Sequence, residues 1–229
     1  MTVEVRGLAL ATADDRADAG AFLARASRVD DSGVIRVKQR PDGSIGLWVR
    51  TGFDVLATRS VFGSCEPTDV VCDVATTQAS LAAGDEPVDV GFALPAAWQG
   101  ALPGSSGFTH LDDVPAREVI ALSRKGAQVA RDDSGALGPA HSLLDQNVLE
   151  VSTDDGTDSA AISMRAVFAL TAMGFVRDAH GHEITEDSSI DAIDPAEPVR
   201  VRRNASWIRI DARYGSVYQR GAALTVFVS

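Results

Sequence analysis

Residues 34–62 limit the fold of this chain more than any other stretch, because they alternate and turn like a β-meander. Ile45, Leu47 and Val49 fall on one side of a strand over 44–50, with Gly46 and Trp48 on the other. A strand over 34–39 leads into it through Arg40-Pro41-Asp42-Gly43, which has proline at the second turn position and a closing glycine. Thr51-Gly52 reads as a second tight turn. It leads into a third strand over 53–62, in which Phe53, Val55 and Ala57 alternate. A meander with one apolar face needs a cover, and residues 13–30 supply one. Phe22, Leu23, Ala26 and Val29 share a helical face, Thr12 or Asp14 can cap the start, Asp15 suits the positive end of the helix dipole, and Gly33 ends the pattern.

The same order returns near the other end. Residues 159–173 read as a helix with Ile162, Ala166, Leu170 and Met173 in a stripe and Gly174 at the stop. After an acidic stretch come strands over 199–203, 206–212, 216–220 and 223–228, with turns at Arg213-Tyr214-Gly215 and Arg220-Gly221. Between the two copies, a short helix is expected from Thr68 or Asp73 to Gly84. Residues 84–110 then read as an irregular connection, anchored to the core by Trp98. Asp112-Asp113-Val114-Pro115 looks like the start of a further helix that carries Val119, Leu122, Gly126 and Val129 on one face and stops at Gly135. The expected class is α+β, mainly antiparallel β-meanders with helices packed on them. Two similar helix-meander halves follow, 1–110 and 111–229, either separate or continuous as one domain. Residue identities of the halves do not align, so their likeness is one of architecture.

Composition narrows the function classes. Apolar content of 45% with 23% charged residues belongs to a folded globular chain. The opening residues carry no basic segment followed by an apolar run, and no stretch approaches the roughly 18 apolar residues of a membrane span. The expected setting is the cytoplasm, without a membrane partner. Cys65 and Cys72 are then reduced thiols, and two of them cannot make a tetrahedral metal site alone. The net charge of −11 opposes a nucleic-acid partner through the field of the whole molecule.

Against that background residues 199–220 stand out. They hold Arg200, Arg202, Arg203, Arg209, Arg213 and Arg220 with one carboxylate, Asp211, and interleave Trp207, Tyr214 and Tyr218. On a strand, Trp207, Arg209 and Asp211 share one face while Ile208, Ile210 and Ala212 turn to the core. Trp207, Arg209, Arg213 and Tyr218 are therefore the candidate ligand- or anion-binding residues, able to stack on and neutralise a phosphorylated ligand. The same arginines could instead pair with residues 177–197, where seven carboxylates accompany one arginine.

His110 and Asp113 are the candidate catalytic pair, a base and an orienting carboxylate, but no G-x-S-x-G nucleophile elbow accompanies them. His180-Gly181-His182-Glu183 lacks the i, i+4 spacing of a helical zinc site, so no metal is expected. Pro103-Gly104-Ser105-Ser106-Gly107 lacks the Walker lysine and the Rossmann spacing, so no cofactor is expected either. Arg165 sits between core-facing helix positions, beside a carboxylate or a cleft.

The strings FTHLDDVPAREVIAL, ISMRAVFALTAMGFV and SWIRIDARYGSVYQR, spread over residues 108–220, resemble stretches of a conserved hypothetical protein family of actinobacteria. That family has no assigned activity. The resemblance implies a bacterial cytoplasmic protein and carries over no catalytic residue. The reading that follows is a non-enzymatic binding or regulatory protein contacting another protein, or a second copy of itself through the uncharged strand 223–228. The alternative is a small hydrolase or transferase for an anionic or phosphorylated metabolite, using Arg209 and Arg213 with His110 or Asp113. Nucleic-acid binding through the basic ribbon 199–220 comes third.

Overall fold

A computed structural model describes residues 6–29, 33–133 and 141–221. The chain divides into two compact units, Met1–Ala101 and Leu102–Ser229, and it is α+β throughout. The strand expected over 223–228, and the homodimer contact placed on it, lie outside the described residues, as does the helix stop at Gly135.

In the first unit the order is β1 (Gly7–Leu10), α1 (Ala13–Val29), β2 (Val34–Gln39), β3 (Ser44–Arg50), β4 (Leu56–Glu66), β5 (Asp69–Asp73), α2 (Val74–Ala83) and β6 (Val88–Asp89). All pairings are antiparallel, in the order β5-β2-β3-β4, with the far end of β4 pairing to β1 and β1 to β6. Thr12 caps α1, its hydroxyl oxygen accepting from the Asp15 amide at 3.1 Å. Ala19, Phe22, Leu23 and Ala26 of α1 meet Ile35, Val37, Ile45, Leu47 and Val49 in the core, as the two periodicities require.

Three details depart from the sequence reading. The second turn is wider than Thr51-Gly52, with the Thr51 amide bonded to the Val55 carbonyl, so β4 begins at Leu56 and runs on to Glu66. The weakly patterned stretch after Cys65 contains β5, whose Val70, Val71 and Cys72 are all buried. Asp73 then caps α2, accepting from the Thr76 amide, and Gly84 closes it. Trp98 is half-buried rather than a core anchor.

In the second unit the order is β7 (Thr109–Pro115), α3 (Ala116–Asp133), a short α4 (His141–Leu144), β8 (Asn147–Ser152), β9 (Ser159–Ser163), α5 (Met164–Ala172), β10 (Pro198–Arg203), β11 (Trp207–Ala212) and β12 (Gly215–Arg220). The main sheet runs β7-β10-β11-β12, antiparallel throughout, and β8 pairs with β9. The β-α-β-β-β order of β1 to β4 thus recurs from β9 to β12, which is the architectural repeat expected from the pattern.

Two segments whose residues suit a helix start are strands in the structure. Asp112 and Asp113 sit on β7, with Leu111 and Val114 turned inward against β10, and α3 begins only at Ala116. Residues 159–163 are strand β9, because Ala160 and Ile162 alternate inward while the backbone pairs with β8. The buried stripe of α3 is Ala116, Val119, Ile120, Ser123, Gly126 and Ala130, which keeps Val119 and Gly126 of the expected face but leaves Leu122 half-buried and Val129 exposed. The Ser123 hydroxyl meets that of Thr171 on α5 at 2.9 Å, tying the two helices together. At the end of α5 the Phe175 amide bonds the Leu170 carbonyl and the Gly174 amide bonds that of Thr171, the paired bonds of a Schellman stop.

Candidate functional site

The pleat of the second sheet sorts its residues sharply. Val199, Val201, Ile208, Ile210 and Val217 turn toward the helices. The other face carries Arg200 and Arg202 from β10, Trp207, Arg209 and Asp211 from β11, and Ser216, Tyr218 and Arg220 from β12. Their register forms rows across the strands. His110, Arg202, Arg209 and Tyr218 stand in one row, and Asp113, Arg200, Asp211 and Ser216 in the next. Trp207 and Arg220 oppose each other in a third.

Asp211 is the hub of this face. Its side chain is 12% exposed and accepts from Arg202 Nη1, from Arg209 Nε at 2.7 Å and from the Ser216 hydroxyl at 2.5 Å. Aromatic rings make the floor beneath the guanidinium groups. Arg209 lies 5.9 Å from the Phe108 ring centre and 5.7 Å from that of Tyr218, and Arg220 lies 4.0 Å over Trp207. Tyr218 packs edge-on against both Phe108 and Trp207. Trp207 and Tyr218 are buried, so the surface presented outward is largely guanidinium. Asp113 takes Arg200 at 3.6 Å, and no carboxylate among the described residues pairs with Arg220. Four arginines therefore face two carboxylates, an excess of positive charge on a chain whose net charge is −11.

Of the residues singled out in the sequence, Trp207, Arg209 and Tyr218 come together here. Arg213 does not. It stands on the turn between β11 and β12 and pairs with Glu197, at the end of the acidic stretch 177–197, at 2.5 Å. That stretch is instead gripped from α3. Arg117 donates to the Ile193 carbonyl, Arg124 to those of Thr185 and Ser188, and Arg131 pairs with Glu186. Arg203 reaches Asp158 on the other side of the sheet at 2.8 Å.

His110 Nε2 lies 3.7 Å from Asp113 Oδ1, but both are about half exposed on β7. Two strand positions separate His110 from Arg209, roughly 10 Å at the usual strand spacing. A small cavity of this unit, about 30 Å³, lies elsewhere, between Phe175, Val199 and Tyr214. It has room for about one water. His182 Nδ1 sits 3.1 Å from Asp178 on the surface, and the His182 amide holds the Asp178 carboxyl below the usual carboxylate range. Among the described residues no group of three or more His, Cys, Asp or Glu could hold a metal. Arg165 pairs with Asp145 at 2.7 Å.

A second arginine-on-tryptophan contact, in the first unit, has no clear signal in the sequence. Arg40 leaves the Pro41 turn and lies 5.8 Å over Trp48, donating to the Ser60 hydroxyl at 2.6 Å. Gly46 makes room for it, since a Cβ there would come within 2.7 Å of the Trp48 indole nitrogen and 3.0 Å of Arg40 Nε.

This fold, with helices on antiparallel meanders in two successive units, is similar to that of solved sliding clamps. The match to the DnaN sliding clamp (DNA polymerase III subunit beta) of Bartonella birtlesii has a TM-score of 0.54 at 14% identity, covering 98% of this chain and 66% of the clamp. The Caulobacter crescentus beta sliding clamp matches at 0.54 and 10%, covering 96% and 66%. The Bacillus subtilis DNA polymerase sliding clamp matches at 0.51 and 11%, covering 90% and 63%. At these identities the likeness is one of fold, and the chain spans no more than 66% of the length of these three clamps. The chain itself belongs to the family of the domain of unknown function DUF8185, whose model matches residues 103–224, and a second domain of unknown function, DUF8010, matches residues 3–100. No curated protein matches it.

Proposed function

We propose that this protein is a non-enzymatic binding protein of the cytoplasm, and that the arginine face of the β7-β10-β11-β12 sheet contacts an acidic surface of a partner protein. The observation that carries the reading is the excess of guanidinium charge held in fixed register over a buried aromatic floor. Arginines locked by Asp211 and by ring stacking lose little freedom on binding, and arginine with aromatic neighbours is the composition of interface hot spots. The clamp-like fold supports the same reading. No described helix is long and apolar enough to cross a membrane, which fits the cytoplasmic setting. The enzyme alternative gains little from His110 and Asp113, which are both about half exposed on β7.

The test is charge reversal at the two most exposed guanidiniums, Arg200→Glu with Arg220→Glu, in the full chain. A partner cross-linked to the wild type in the native cell should be lost from the variant at an unchanged melting temperature. Retention of that partner would refute the proposal. So would tight binding of a labelled DNA duplex or single strand whose affinity falls steeply with salt, which would move the face to nucleic acid.

A further inference from the structure

The first unit has a cleft beside strand β5. It encloses about 410 Å³ between strand β5 and residues 93–100, with Pro67, Val70, Val71, Pro95 and Trp98 among its walls and Arg6, Arg36 and Asp69 at its rim. That volume falls in the range of binding clefts, roughly 300–1,000 Å³. We propose that it docks an extended acidic peptide segment of a partner protein, as an added strand on β5.

Three features lead to that occupant. First, among the described strands β5 pairs with β2 alone, and its other edge faces the cleft. On that edge the Val71 carbonyl already accepts from the Leu94 amide at 2.8 Å. By the alternation of a β-ladder, the Val71 amide and both backbone groups of Asp69 point the same way, an array that an extended peptide can continue. Second, the floor is apolar, and the half-buried Trp98 offers a ring to one bulky side chain. Leu94 and Phe92 continue the apolar character along the loop, with Phe92 86% exposed. Third, the rim is basic. Asp69 is held bidentately by Arg36 at 2.7 and 2.8 Å, and Lys38 approaches it at 3.4 Å. Arg6 has no carboxylate partner among the described residues. Arg6 and Arg36 against the one carboxylate of Asp69 at this rim, on a chain of charge −11, select an acidic ligand over a basic one.

This site is built from residues of the first unit alone and the arginine face from residues of the second, so the two proposals fail separately. The experiment pans a displayed library of random linear peptides against the full chain, then measures the enriched peptides by fluorescence anisotropy. They are expected to combine carboxylates with one or two bulky apolar residues. Arg6→Glu and Trp98→Ala should each weaken them by about tenfold or more, while Arg200→Glu with Arg220→Glu leaves them unchanged. Hydrogen exchange of the Asp69 and Val71 amides should slow in the complex. Enrichment of basic peptides would overturn the proposal, as would affinities indifferent to Arg6→Glu and Trp98→Ala, or unchanged exchange at β5.

Discussion

Replacing Asp211 by asparagine should uncouple the arginine face from the sheet beneath it. Asparagine keeps the shape but removes the charge, and its amide nitrogen would meet guanidinium donors that now find a carboxylate. Three bonds converge on Asp211, from Arg202, Arg209 and Ser216. A hydrogen bond to a charged group is worth about 1.5–3 kcal/mol. The side chains of Arg202 and Arg209 are 32% and 28% exposed, so water takes over part of their solvation once the carboxylate is gone. The net loss should be about 2 kcal/mol, or a melting temperature lower by roughly 4–8 °C for a chain of this size. Urea unfolding followed by circular dichroism measures it, together with Arg209→Gln and the double variant. Because both partners touch, the double variant should fall short of the sum by about 0.5 kcal/mol or more. Screening by salt should matter little for a carboxylate only 12% exposed, so the loss should persist at high salt. An Asp211→Asn protein as stable as the wild type, or strictly additive with Arg209→Gln, would refute the hub.

Other consequences are equally direct. An added Cβ at Gly215 would come within 2.3 Å of a ring carbon of the fully buried Phe175, so Gly215→Ala should cost about 1–3 kcal/mol in the same urea assay, and Phe175→Leu should restore part of it. The Thr58 hydroxyl is buried with no hydrogen-bond partner among the described residues, so Thr58→Val should raise stability by about 1 kcal/mol, and a loss would contradict an unpaired hydroxyl there. Burial pushes the Cys65 thiol up to about 12 and that of Cys72 to about 11. Unfolded thiols titrate near 8.5, so this contribution to stability is whole below about pH 8.5 and is lost as pH rises through the folded values. The melting temperature should therefore fall between about pH 9 and 11 in the wild type but less in Cys72→Ala, and both thiols should resist alkylation in the native protein at about pH 8. Rapid labelling of either would contradict the burial.

The sequence alone determined whatever depends on neighbours a few residues away. Turn chemistry at Pro41-Asp42-Gly43, alternation through β3 and β11, the cap at Thr12 and the stop at Gly174 are local, and each appears where the pattern places it. Trp207, Arg209 and Asp211 were legible as one face for the same reason, since a strand has a period of two whatever its partners. Tertiary structure decided the rest. Residues 109–115 and 159–163 carry caps, prolines or small residues that suit a helix start as well as a strand, and pairing with β10 and β8 settled them as strands. Part of the charge pairing was equally remote. Arg209 meets Asp211 two residues along the same strand, but Arg202 reaches it only through cross-strand register, while α3 draws the acidic stretch toward itself. The cleft beside β5 joins residues 6, 36, 67–71 and 93–100, and only the folded first unit brings such separated positions to one wall.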